Sequence, residues 1–171
     1  MTTAWTLPTS ISQYVETDAE HVHISWDDTS FDNLTSITGR ALGTTNPLYH
    51  IARSPKHDLK TKTYFLKLGG FQFEDIPNII SGIEVRLTSK RYGRITDETI
   101  QLSLNDELVG DNKATLIVSP IKTYGGETDT WGINLDDVLD PSFGIIIRLQ
   151  SHPNWPHRDG AQIDAVEIRI H

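Results

Sequence analysis

The sequence contains no cysteine among its 171 residues. Disulfides, zinc–thiolate centres and cysteine nucleophiles are therefore excluded, and folding in a reducing cytoplasm fits this composition. The first thirty residues also lack an apolar run long enough for a signal peptide or a membrane-spanning helix. We therefore expect neither secretion by that route nor a membrane as partner.

Positive charge is scarce as well. The formal net charge is −8, and the lysines and arginines are scattered along the chain instead of forming a stripe. Nucleic acids and anionic membranes are bound through a positive face, so neither is an expected partner. With 37% hydrophobic residues the chain is globular and not disordered. Its length fits one domain, which at this size buries roughly 70% of the unfolded surface.

Catalytic and metal-binding motifs are missing too. The sequence has no G-x-S-x-G, no Walker loop and no HExxH. The acidic clusters at 27–32, 106–111 and 136–140 lack the full EF-hand pattern, so we interpret them as turn and cap residues. His21 and His23 share one strand face, a geometry that suits a metal, but a polar outer face is the simpler interpretation. We predict no catalytic residue, no metal site and no cofactor.

What the sequence does have is alternation with a period of two. From Ile79 to Leu104 apolar and polar residues alternate in both halves, which is typical of half-buried strands. The connection from Ser89 to Glu98 is basic and then acidic and contains Gly93, which predicts a long-looped hairpin. Comparable stretches predict further strands, at 21–26, 48–52, 63–73, 114–118, 143–149 and 163–170.

Short strands separated by turn residues, with no long helix, are typical of a sandwich or barrel. We therefore predict an all-β fold: a single antiparallel β-sandwich domain over residues 1–171, jelly-roll-like. Residues 1–18 are expected to form an extended N-terminal arm, and residues 35–62 a long loop excursion. One helical turn is predicted near residue 136, capped by Asn134 and stopped by Pro141.

Aromatic residues in loops are the candidate binding residues. Tyr124, Trp131 and Trp155 lie beside glycine or proline, where their rings would stack on a sugar or enter a partner protein. The alternative is that these three rings close the ends of the core. Ordering the arm costs about 1–2 kcal/mol per residue in backbone entropy, which burial of Trp5 and Leu7 in a neighbouring subunit would offset. We therefore expect a homo-oligomer or a tight partner contact, with the arm and the 35–62 excursion in the interface.

Several motifs follow one another between residues 63 and 171, in the order LGGFQFEDIPNIISGIEVRL, DETIQLSL, LVGDNKA, YGGETDTWG, DPSFGIIIRL and QIDAVEIRIH. In this combination and order they resemble a β-sandwich domain of tailed-phage virion accessory proteins, found in tail fibres, baseplates and capsid decoration. A weaker match begins at Trp5. That family typically ends in an aromatic pair, whereas this chain ends in Arg169, Ile170 and His171. The closing strand is therefore expected to meet a different neighbour.

The resemblance implies a non-enzymatic structural component of a virion, assembled in the host cytoplasm. It implies other virion proteins as partners and no catalytic residues to carry over. An alternative is a carbohydrate-binding module that recognises a host surface glycan through the loop aromatics. A glycan-cleaving enzyme is a weaker third interpretation.

Overall fold

The structure is a computed structural model, and it describes residues 2–16, 20–26, 42–43, 61–92, 94–151 and 160–171. Within these ranges the chain is almost entirely β, as predicted. The strands are β1 (Ser10–Tyr14), β2 (Val22–Ile24), β3 (Leu42–Gly43), β4 (Thr61–Thr63), β5 (Phe65–Gly69), β6 (Ile83–Tyr92), β7 (Ile95–Leu104), β8 (Glu107–Val109), β9 (Ile121–Gly126), β10 (Gly144–Ser151) and β11 (Gly160–Ile170). The helix is α1 (Leu135–Leu139).

The larger sheet has seven strands and is built around β10. Along one side β10 pairs with β5 and β4, and along the other it pairs with β7. The outer strands are β1 beside β5, β2 beside β4, and β8 beside β7. These pairings are antiparallel except for β2 and β4, which run parallel.

The smaller sheet has four strands in the order β3–β11–β6–β9. Its backbone is the long antiparallel pair of β6 and β11, with a bulge between Ile163 and Ala165. Both sheets curl and pack their apolar faces together in a sandwich-like half-barrel. Fully buried aliphatic residues of this core are Leu66, Leu68, Ile83, Val85, Ile100, Leu102, Ile145, Ile147, Val166 and Ile168. Each contributes roughly 1.5–3 kcal/mol through burial.

The predicted hairpin is wrong. Strands β6 and β7 do follow each other closely, but β6 pairs with β11 and β9 while β7 pairs with β10 and β8. Their alternating apolar faces meet across the core instead of lying side by side. Both strands also run further into the charged connection than predicted, because Arg91 and Asp97 point inwards and form an ion pair of 2.7 Å between the sheets.

The N-terminal segment is part of both sheets and not a free arm. The Thr3 amide donates to the Ile170 carbonyl (2.9 Å), and Thr6 forms a β-bridge with Ile168. The chain then crosses to the other sheet, where Ser10–Tyr14 pairs with β5. This segment is therefore ordered by contacts within its own chain.

Other local predictions have mixed outcomes. Of the 35–62 excursion, the structure describes only Leu42–Gly43 in β3 and the first residues of β4, so the predicted strand at 48–52 lies outside the described residues. The predicted strand at 114–118 is wrong, because that segment is irregular and β9 begins after Pro120. The short helix is confirmed: Asn134 and Asp137 form a capping box, and α1 ends before Pro141.

Deleting residues 1–18 should destabilise the fold and not merely prevent assembly. The deletion removes β1 and the contacts with β11, and each lost hydrogen bond contributes about 0.5–1.5 kcal/mol. We expect the free energy of unfolding, measured with urea, to fall by more than about 3 kcal/mol. Ser12→Ala, at an exposed position of β1, is the control and should leave the unfolding midpoint unchanged. A truncated chain with the wild-type midpoint would contradict this account of the segment.

Candidate functional site

Tyr124 and Trp131 are buried core residues, as the alternative interpretation expected, and they lack the exposed ring that binding of a glycan or a partner would need. Trp131 has no exposed surface and Tyr124 is 3% exposed. The Trp131 indole N–H donates to the Ile83 carbonyl at 2.9 Å, and the Tyr124 hydroxyl donates to Asp97 Oδ2 at 2.9 Å. Neither ring offers a free face. The third candidate of this group, Trp155, lies outside the described residues.

Trp5 packs on the outer face of its own smaller sheet. The guanidinium carbons of Arg86 and Arg169 lie 4.2 and 4.5 Å from its ring centroid. Such cation–π contacts contribute about 0.5–1 kcal/mol each at partly exposed sites. Leu7 is also partly buried. The ring of Trp5 thus contacts its own chain, whereas burial of Trp5 and Leu7 in a neighbouring subunit stays a prediction.

Beneath Trp5 runs a ladder of paired charges across β6 and β11. Arg86 donates twice to Glu167, at 2.7 and 2.8 Å, while Arg169 and His171 both contact Glu84. Burial alone raises the pKa of Glu84, but the hydrogen bonds and positive charges of Arg169 and His171 outweigh it and hold this pKa below its ordinary value. Glu84 is therefore ionised at neutral pH, and its contacts with Arg169 and His171 stabilise the sheet.

A second charged group lies inside the core, between the sheets. The Asp97 side chain is fully buried, with Arg91 Nη1 2.7 Å from Oδ1 and Lys122 Nζ 3.6 Å from Oδ2. Burial, followed by the negative charge of Asp97, raises the pKa of Tyr124 strongly, so its hydroxyl remains a neutral donor. We call Asp97, Arg91, Lys122 and Tyr124 the buried cluster. It joins β7 of one sheet to β6 and β9 of the other.

Next to the buried cluster the chain exposes a run of aliphatic side chains. Leu116, Ile117, Val118 and Ile121 are 72%, 74%, 43% and 61% exposed, and we call them the aliphatic strip. Single exposed apolar residues are common on protein surfaces, whereas contiguous exposed apolar patches are typical of interaction sites. The strip also continues into β9, which pairs only with β6 among the strands that the structure describes.

The exposure of the strip is fixed by polar contacts beneath it. The Thr115 amide donates to Asp97 Oδ2 at 3.2 Å, and Lys122 Nζ donates to Thr115 Oγ1 at 2.8 Å. On the far side, the Pro120 carbonyl accepts the Ser89 amide of β6 at 2.8 Å. The strip is thus held at both ends by the buried cluster and by β6, with its side chains directed outwards.

A second apolar surface lies near α1. Phe71, Phe73 and Phe143 form a group of rings whose centroids are 6.1–6.5 Å apart. Leu139 and Pro141 also line this region, together with the polar residues Gln72 and Asp140. They surround an open groove of about 330 Å³, which we call the aromatic groove. Leu139 is 54% exposed on its rim. The groove can accept apolar side chains from outside the molecule.

Sequence reasoning missed both surfaces. The apolar residues at 114–118 predict a buried strand, although they do not alternate and Pro120 follows closely. The predicted strand at 63–73 includes Phe71 and Phe73, whereas β5 ends at Gly69. The positive φ of Gly70 (68°) marks where the chain leaves the sheet, and a Gly-Gly pair was the available signal.

Within the described ranges, no three His, Asp or Glu side chains are grouped so that they could hold a metal ion. In the same part of the chain, none of the helices has the length and apolar character needed to cross a membrane. No known protein family, curated protein or solved structure matches the chain.

The charge ladder should make stability depend on pH through Glu84. Because its folded pKa lies below its unfolded value of about 4.3, the contribution of Glu84 is complete above that pH and is lost as the pH falls through the folded pKa. The difference in unfolding free energy between wild type and Glu84→Gln should therefore shrink on acidification from about pH 6 to pH 3. Denaturant titrations at several pH values measure it. A difference that stays constant over this range would contradict the paired state of Glu84.

Proposed function

We propose that the chain is a non-enzymatic structural component of a tailed-phage virion that acts through protein–protein assembly. Its place is in the tail, baseplate or fibre, or on the capsid surface, after assembly in the host cytoplasm. Other virion proteins and further copies of the chain are its partners. The motif resemblance supports the virion context, and the aliphatic strip is the observation that carries the assembly role.

The strip suits a permanent contact. Its side chains are aliphatic and largely exposed, so covering them with a partner removes apolar surface from water. Its backbone is already fixed by Asp97 and by Ser89, so binding requires little additional ordering. A preorganised apolar surface of this kind favours a protein partner.

The same observations support assembly over glycan binding. Sugar recognition uses exposed aromatic faces together with convergent hydrogen-bonding groups. Tyr124 and Trp131 are buried, and the ring of Trp5 is covered by two arginines of its own chain. The aliphatic strip offers no side-chain hydrogen-bonding group to a sugar.

Replacing Ile117 with aspartate should remove the protein from particles without unfolding it. Ile117 is 74% exposed, so the isolated domain tolerates the change, whereas a buried apolar contact does not accept an unpaired charge. The measurement is the amount of protein that sediments with purified particles, together with its melting temperature.

Ile79→Asp provides the matched control, because Ile79 is an equally exposed aliphatic residue (83%) outside the strip. It should be incorporated normally. Full incorporation of Ile117→Asp would contradict the assembly role of the strip. Binding of the wild-type protein to a glycan array, lost in Trp155→Ala, would favour the carbohydrate-binding alternative.

A further inference from the structure

We infer that the aliphatic strip of one copy docks in the aromatic groove of the next copy, so that the chain assembles head to tail. This inference rests on the proposed assembly role and names its partner, a second copy of this chain. It requires that the two surfaces lie apart on one molecule, match in chemistry, and carry compatible charges around them.

The two surfaces lie at opposite ends of the sandwich. The strip is anchored through Asp97, near the start of β7. The groove lies beyond the end of β7, where the Asn105 amide donates to Ser142 Oγ at 2.9 Å, between Pro141 and Phe143. Along a strand each residue advances roughly 3.3 Å, so most of the length of β7, on the order of 25 Å, separates them. They cannot meet within one chain, but they can meet between successive copies.

The chemistry of the surfaces is complementary. The groove is lined by the rings of Phe71, Phe73 and Phe143, and its volume of about 330 Å³ is in the range of pockets that take apolar groups. The strip presents Leu116 and Ile117 as its most exposed side chains. An aliphatic projection would thus meet a recess lined mainly by aromatic and aliphatic side chains, with Asp140 as the one charged residue of the lining.

The charges around the surfaces favour contact between unlike ends. The connections at the groove end, residues 70–82, 105–107 and 127–143, contain no lysine or arginine. Their exposed carboxylates are those of Glu74, Asp75, Glu107, Glu127 and Asp136, while that of Asp106 is paired with Lys67 of β5. At the strip end, the end of β6 and the connection to β7 expose Lys90 and Arg94. Opposite charges across a contact favour association, while two groove ends repel each other.

A contact between different surfaces on identical chains is heterologous. Each bound copy leaves one strip and one groove free, so the contact repeats until a ring closes or a filament grows. A twofold contact, by contrast, would join strip to strip and stop at a dimer. This difference gives the inference a direct test in purified protein.

The test uses two variants that each disable one surface. Ile117→Asp alters the strip and Leu139→Asp alters the groove, and both positions are largely exposed, so the fold is retained and can be checked by circular dichroism. Sedimentation equilibrium of the wild type should show association that grows with concentration. Each variant alone should self-associate roughly a hundredfold more weakly or not at all. Ile79→Asp, at the groove end but outside the groove lining, should associate like the wild type.

The decisive sample is the equimolar mixture of the two variants. One intact groove and one intact strip then remain, and they should form a heterodimer and nothing larger. A wild-type protein that stays monomeric up to its solubility limit would overturn the inference, as would association that persists in Leu139→Asp or a mixture that stays monomeric. These failures concern self-association only, whereas loss of the virion role would show as absence of the wild-type protein from particles.

Discussion

The packing of the two sheets and the position of the aliphatic strip both depend on the contacts of the buried Asp97 carboxylate. Transferring an ion into a protein interior costs several kcal/mol, and this is offset only when partners surround it. Arg91 from β6 and Lys122 from β9 supply the charges, and the hydroxyl of Tyr124 supplies a donor. Because these partners come from both sheets, the cluster forms only when both sheets are in place, and it specifies how β7 packs against its neighbours across the core.

The same carboxylate connects the core to the surface. One of its oxygens accepts the Thr115 amide, so the segment that follows is held against β6 and β9 while its side chains project into solvent. The N-terminal segment also links the two sheets, because it forms a bridge to β11 and then pairs with β5. Trp5 lies on the charge ladder and covers part of the outer face of the smaller sheet. Trp5 thus shields part of the smaller sheet, whereas the side chains of the aliphatic strip are exposed.

Part of this structure follows from local sequence patterns. Alternation identifies β6, β7, β10 and β11 because each strand has one consistently apolar side, and Asn134 with Pro141 delimits α1 because caps act locally. Alternation does not reveal which strands share a sheet. The hairpin predicted from β6 and β7 is therefore wrong, because these two strands face each other across the core.

The candidate site was predictable only in small part. The sequence places Arg91 and Asp97 in a charged connection, and their ion pair between the sheets is visible only in the structure. The position of Trp131 in a loop does not by itself indicate that the side chain is fully buried. The aliphatic strip is the opposite case: its residues are expected in the core but are exposed in the structure. In each case the deciding contact joins residues from different elements, such as the Trp131 indole and the Ile83 carbonyl, which local spacing does not encode.

The most direct test of this account is amide hydrogen exchange at Thr115 and Ile117 in the wild type and in Asp97→Asn. The Thr115 amide donates to Asp97, and the Ile117 amide donates to Thr115 Oγ1 at 2.9 Å. Both amides should be protected in the wild type. In Asp97→Asn both should exchange much faster than amides in the centre of β10, and the free energy of unfolding should fall by about 3–5 kcal/mol. Equal protection of these two amides in both proteins would contradict the claim that the buried carboxylate holds the strip in place.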